Sequence, residues 1–282
     1  TNIDNEHLDY YKSINNLKKN FSKFIEKTPS LGKAFVCIDD RNIREILKKI
    51  KNKNFYSYGI KKNANFQISN IFQNISFSKF DLKINIPAKK KMIRNIKIPL
   101  IGLHNIRNAA SAVAVAFSIG ISNNVIKKSL SKYKGVQRRF NYLFKLNDAI
   151  FFDDYAHHPT EISSVLDGVK EVYKKKEIIC IFQPHRVSRV KNLKLEFSKS
   201  FKKADTVILC PIYKANEKLK LDFSYNSFAK LIIKNSKVKL ISIENELSLK
   251  KLIKQTAYGD KIYIGMGAGT ISSWMKNLKH NI

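Results

Sequence analysis

Apolar residues recur at helical spacing over residues 11 to 28, where Ile14, Leu17, Phe21, Phe24 and Ile25 alternate with lysines, so the segment is expected to be an amphipathic helix. The run "KAFVCID" that follows is short, apolar and closed by two acids. It predicts a buried strand, with Asp39 and Asp40 leading into the helix "RNIREILKKI". From 54 to 100 the pattern shortens and alternates, as in "NFQISNI" and "SFSKFDLKINI", which suggests antiparallel strands on one edge. "PLIGLHNIRNAASAVAVAFSIG" turns through Gly102 into a small-residue helix able to pack closely on a sheet, and "SNNVIKKSLSKY" predicts a further helix capped by Ser122.

Beyond "KGVQRRF" strands and helices alternate. Strands are expected at 149–153, 177–182, 205–210, 237–243 and 261–265, and helices at 160–174, 190–202, 225–235, 246–256 and 271–279. Uncharged runs of about five residues between amphipathic helices indicate a parallel sheet covered on both faces. The fold class is therefore α/β, with a Rossmann-like second domain at 137–282 after a first domain at 1–136. Ligands of such sheets sit at the carboxyl ends of strands. Three polar clusters take that position: "DDYAHHP", "QPHRVSR" and "GMGAGT".

A chain of 282 residues is long enough for two cores, and 44% hydrophobic residues with 11% aromatics excludes a disordered or fibrous chain. The 53 Lys and Arg against 22 Asp and Glu, a formal +31, raise the question of nucleic acid. The lysines are spread evenly among many Asn and Ile residues, however, and a dedicated patch concentrates its charge. No specific nucleic-acid partner is expected, and runs such as those at 89–91 and 174–176 read as solvated faces or turns. Cys37, Cys180 and Cys210 lie in apolar runs without zinc-ligand spacing, which fits buried reduced thiols in a cytoplasmic protein. No stretch is apolar and long enough to span a bilayer, and none reads as a secretion signal.

Candidate chemistry lies in the clusters. Arg186 and Arg189, three apart at a helix start, can face one direction and grip a carboxylate or phosphate. The glycines of "GMGAGT" can bring backbone N–H groups to an anion or simply serve a tight turn. Asn105 and Asn108 in "HNIRN" suit an adenine or ribose, or a helix cap. His7, with Glu6, Asp9 and Asp4 nearby, can join a divalent metal shell, although a lone surface histidine is the commoner outcome.

"TNIDNEHLDYY", "GLHNIRNAASAVAVA", "GVQRRF", "DDYAHHPTEI" and "FQPHRVSR" occur in the order of the signature segments of the Mur ligase family, which the chain resembles from Thr1 to about Gly269. The wording is most similar to the branch that joins L-alanine to UDP-N-acetylmuramate in peptidoglycan synthesis. The murein peptide ligases are the nearest competitor. The resemblance implies ATP and Mg²⁺ as cofactors, with UDP-N-acetylmuramate and L-alanine as partners. The muramyl carboxylate would be activated as an acyl phosphate and then attacked by the alanine amine. It further implies His7 as a magnesium ligand, Asn105 and Asn108 at the adenine, Arg139 at the ATP phosphates and Asp154 at the ribose. Tyr155, His157, Arg186 and Arg189 would line the substrate side, the last three as catalytic groups, and His158 would be structural.

The family also uses a Gly-rich P-loop, and no GxxxxGK[ST] match occurs in these residues. The first domain is thus expected to be the remainder of a P-loop-type ATPase domain. The chain would then be the carboxyl-terminal part of a ligase, inactive alone and completed by an amino-terminal region in cis or in trans. A noncatalytic fragment that binds anionic polymers is the alternative.

Overall fold

The computed structural model describes residues 1–51, 54–87, 89–217 and 224–281, the side chains of Asp9, His280 and Asn281 aside. The chain divides into two compact units, Thr1–Lys134 and Gly135–Ile282.

In the first unit, helices α1 (Leu8–Tyr11) and α2 (Ile14–Glu26) precede strand β1 (Ala34–Cys37), helix α3 (Arg41–Leu47) and strand β2 (Phe55–Gly59). Strands β3 (Phe66–Gln73), β4 (Ser78–Ile86) and β5 (Lys89–Ile98) come next, then helices α4 (Leu103–Ser118) and α5 (Asn123–Ser131). The sheet runs β1-β2-β3-β4-β5. Residues 54 to 100 are not all antiparallel: β2 lies parallel to β1 and β3, and only β3, β4 and β5 form antiparallel pairs. The reason is the crossover through α3, which returns the chain to the same end of the sheet before β2 starts. Helix α4 packs on β1, β2 and β3 through its small-residue face, where Ala110, Val113 and Ala114 are fully buried. Of the apolar stripe on α2, Leu17 and Ile25 are buried, whereas Phe24 remains 76% exposed.

The second unit opens with β6 (Asn141–Leu146) and β7 (Ala149–Asp154), followed by α6 (Pro159–Val172), β8 (Glu177–Phe182), α7 (Val187–Asn192) and α8 (Lys194–Lys199). It continues with β9 (Thr206–Leu209), α9 (Tyr225–Ser236), β10 (Lys239–Ser242), α10 (Glu246–Thr256), β11 (Lys261–Met266) and α11 (Ile271–Asn281). Strand order is β10-β9-β8-β11-β7-β6, parallel except for β6. The edge strand β6 was not among the expected strands. It leads into β7 through Asn147 and Asp148, both at positive φ, the tight hairpin geometry that Asn and Asp tolerate best. The expected helix over 190–202 is two short helices instead, because Leu193 leaves helical geometry at ψ 25°.

One consequence of this order positions the site. β11 lies between β7 and β8, and Met266 is in register with Asp154 on one side and Phe182 on the other. The three polar clusters therefore leave neighbouring strands at the same level.

Candidate active site

In the first unit, α4 begins at Gly102, whose φ of 94° suits glycine. Asn105 is half-buried and its amide donates to the Ile101 carbonyl at 2.8 Å, while Asn108, nearly one turn on, is exposed. Arg107, between them in sequence, points elsewhere: its Nε donates to Asp39 Oδ2 at 2.8 Å. Asp39 also accepts the backbone N–H groups of Ile60 and Lys61. An open cleft of about 650 Å³ beside this pair is lined by Asp39, Ile60, Lys61, Lys62, Asn63 and Arg107, and includes neither asparagine.

In the second unit, the loop before β6 and the end of β7 are stapled together by Asp154. Its Oδ2 accepts the Phe140 N–H at 2.8 Å and its Oδ1 the Ala156 N–H at 2.7 Å. Asp154 is 2% exposed and each of its oxygens holds a backbone donor, so in this structure it braces the loop. Burial pushes its pKa up to about 6 and outweighs the two N–H groups, which pull it down. The stapled loop is strained: Arg138 and Phe140 both have positive φ, at 58° and 53°. Strain of this kind in non-glycine residues concentrates at functional sites.

Tyr155 rests in this loop. Its N–H donates to the Arg138 carbonyl, and the Arg138 guanidinium carbon lies 4.6 Å from its ring centre. Arg138 Nη2 also donates to the Gly267 carbonyl at 2.6 Å, and its Nε lies 3.8 Å from buried Asp153. Arg139 is more exposed, 3.6 Å from Glu161 and 5.9 Å from the Tyr155 ring. Glu161 is the hub of the next turn, accepting the N–H groups of His157 and His158. His158 completes a capping box at the start of α6 with its side chain on the Thr160 N–H.

Four rings then cross the strand ends. Tyr155 meets His157 edge-on at 5.0 Å, His157 meets His185 at 5.9 Å, and His185 stacks on Tyr213 at 5.5 Å with 10° between planes. Glycines make room beneath them. A Cβ on Gly269 would come within 2.5 Å of Gln183 Oε1 and 2.7 Å of Tyr213, and one on Gly267 within 2.6 Å of the Gln183 carbonyl. The glycines of "GMGAGT" thus have a steric reason for being there.

The two arginines of "QPHRVSR" do not share a helix face. Arg186 is the residue before α7, at φ 66° and exposed, so it stands outside the helical repeat that would align it with Arg189. Arg189 is half-buried, with Nη1 3.1 Å from His185 Nδ1. Glu217 fixes the start of α7 by accepting from the Ser188 N–H and hydroxyl.

The model of the Mur ligase middle domain matches residues 1–116, and that of the Mur ligase glutamate ligase domain residues 138–269. The UDP-N-acetylmuramate–L-alanine ligase of Pelagibacter ubique is 60% identical over 279 residues, 99% of this chain and 60% of that protein. Its counterpart in Dictyoglomus turgidum is 36% identical over 273 residues, 96% of this chain and 57% of that protein. Among solved structures, the UDP-N-acetylmuramate-alanine ligase of Thermotoga maritima has the same fold, with a TM-score of 0.73 at 23% identity, 98% coverage of this chain and 57% of its own. The chain belongs to the Mur ligase family. It spans about 60% of the length of the curated relatives it matches.

As a member of this family, the chain places more residues at the candidate site than the motifs alone indicate. Arg138, Glu161, His185, Tyr213 and Glu217 were not anticipated. Arg138 and His185 each stand beside a residue that was, and Glu161 had a signal in the helix-start pattern "HPTE". His7 is the least supported candidate. It is exposed, at φ 56° before the four-residue α1, and no group of three or more His, Cys, Asp and Glu side chains that could hold a metal occurs among the described residues. The Asp9 side chain lies outside the described residues. Mg²⁺ prefers carboxylate, water and phosphate oxygens to an imidazole nitrogen.

Proposed function

We propose that this chain is the catalytic middle and carboxyl-terminal part of an ATP-dependent ligase that joins L-alanine to UDP-N-acetylmuramate in cytoplasmic peptidoglycan synthesis. The observation that carries the reading is the 60% identity to a ligase of that name over 279 residues, which include every strand-end segment of the site. The chemistry of the site agrees with it. Transfer of a phosphoryl group from ATP to the muramyl carboxylate forms an acyl phosphate; the alanine amine then attacks the carbonyl carbon, phosphate leaves with the bonding pair, and the amine loses a proton. Both steps gather negative charge on oxygen, which fixed cations stabilise.

The second unit supplies such cations on a supported frame. Arg189 holds a substrate carboxylate, and exposed Arg186 takes a second anionic group. Tyr155 and His157 wall the substrate and orient it. Arg139, beside the strained loop, takes the ATP phosphates, and Asp154 keeps that loop in shape. In the first unit, exposed Asn108 meets the adenine edge, and Asn105 supports the first turn of α4 through Ile101.

The test is ATP-dependent formation of the alanyl sugar nucleotide with release of phosphate. It is run with this chain alone and with the region of its relatives that it does not cover, supplied in cis or in trans. Ligation of L-alanine only in the completed assembly is expected. A completed assembly that takes a tripeptide in place of L-alanine, or ligates nothing, overturns the reading.

A further inference from the structure

His185 is assigned no role in the reaction above, yet its surroundings are built with care. The residue leaves β8 at the level of the site and is half-buried. Its backbone bridges to Tyr213 beyond β9, with the Arg186 N–H on the Tyr213 carbonyl at 2.9 Å and the Tyr213 N–H on the Pro184 carbonyl at 2.8 Å. Its ring is clamped flat on Tyr213 on one side and meets His157 on another. An imidazole held this way cannot turn without breaking the stack.

The contact with Arg189 fixes its protonation. A guanidinium only donates, so Nδ1, 3.1 Å from Nη1, must be the acceptor. The ring proton is then on Nε2. We propose that His185 is a positioning residue that, as a neutral imidazole with a bare Nδ1, aims the Arg189 guanidinium at the carboxylate of the incoming amino acid. An imidazolium there would face a cation and let go. Burial first, then the charge of Arg189 and the neighbouring His157 and Arg186, lower its pKa to about 4, which agrees with the geometry.

This role rests on the proposed ligase reading only for its substrate; the protonation state can be tested without it. Nitrogen-15 NMR of the imidazoles in this 282-residue chain should show His185 neutral at pH 6, with pyridine-type Nδ1 and protonated Nε2. An imidazolium at pH 6, or the opposite tautomer, overturns the inference.

In the completed assembly two replacements separate the acceptor from the ring. His185→Asn keeps an oxygen near the place of Nδ1 but loses the stack, whereas His185→Phe keeps the stack and loses the acceptor. Phe should raise the amino-acid KM about tenfold or more, with the ATP KM unchanged, and Asn should recover most of that loss. If Phe leaves the amino-acid KM unchanged, or if Asn and Phe are equally impaired, the acceptor role falls. If the wild-type assembly ligates nothing, the ligase reading falls, and the NMR result still decides the state of His185.

Discussion

Arg107 and Asp39, 68 residues apart in sequence, form an ion pair at 2.8 Å that ties α4 to the end of β1. Asp39 is closed in further by the backbone of Ile60 and Lys61, and Gly59 leaves it room, since a Cβ there would lie 2.6 Å from Oδ1. Removing one partner of such a pair leaves the other charge without compensation. Asp39→Ala should therefore destabilise the first unit by about 2–4 kcal/mol, discounted from a fully buried pair because Arg107 is 32% exposed. Gly59→Ala should act in the same direction through both clash and its φ of 145°. Chemical denaturation followed by a probe in this unit would check both, and wild-type stability in either would refute the account.

Asp154 makes a prediction about pH. Its folded pKa of about 6 lies above the value of 3.8 for a free carboxyl, so the folded state holds its proton longer than the unfolded one. The resulting stability is fully present below about pH 4 and is lost as pH rises through about 6, amounting to about 3 kcal/mol. Asp154→Asn cannot ionise and should flatten this part of the curve, while costing stability overall because its amide N–H group opposes one backbone donor. Thermal melts of both proteins from pH 4 to 7 would show it, and parallel curves would contradict it.

Gly269→Ala is a test of the space under the four rings. The new methyl would overlap Tyr213 and Gln183, and neither is a free chain end: Gln183 bonds Thr270 and the Ile271 N–H. We expect a loss of about 1–3 kcal/mol, the range for forcing an extra group into a packed site. The completed assembly should also show an increased amino-acid KM. Unaltered stability and KM would mean that the strand ends are looser than described.

Arg189→Ala and Arg186→Ala should differ. Loss of a charge-assisted contact is worth about 1.5–3 kcal/mol, or roughly tenfold or more in kcat/KM. Anchored Arg189 should lie at the upper end of that range and exposed Arg186 at the lower. Steady-state kinetics of the two variants would rank them, and a larger effect at Arg186 would reverse the assignment of substrate groups.

The parallel strands of the second unit were legible because each is a short uncharged run between amphipathic helices. Even the gathering of their polar ends followed from the pattern. The family's motif likewise pointed to Tyr155, His157 and Arg189 at one edge. What the pattern could not convey was the direction of side chains at special backbone positions. Arg186 lies at φ 66°, so counting along a helix misplaces it. Nothing in "DDYAHHP" shows that Asp154 will accept two backbone N–H groups, one of them from 14 residues upstream. β2 was misjudged for a similar reason, since its direction is set by the return of the chain through α3 and not by its own alternation.

Glu161 gives the last point. Its one carboxylate accepts the N–H groups of His157 and His158, the two residues just before α6, and lies 3.6 Å from Arg139. Unwinding the first turn of α6 would therefore release His157 and the Arg139 loop in the same event, so this corner should open as a single cooperative unit. Amide hydrogens from 157 to 162 should then exchange with one common rate, and an anion held by Arg139 should slow them all together.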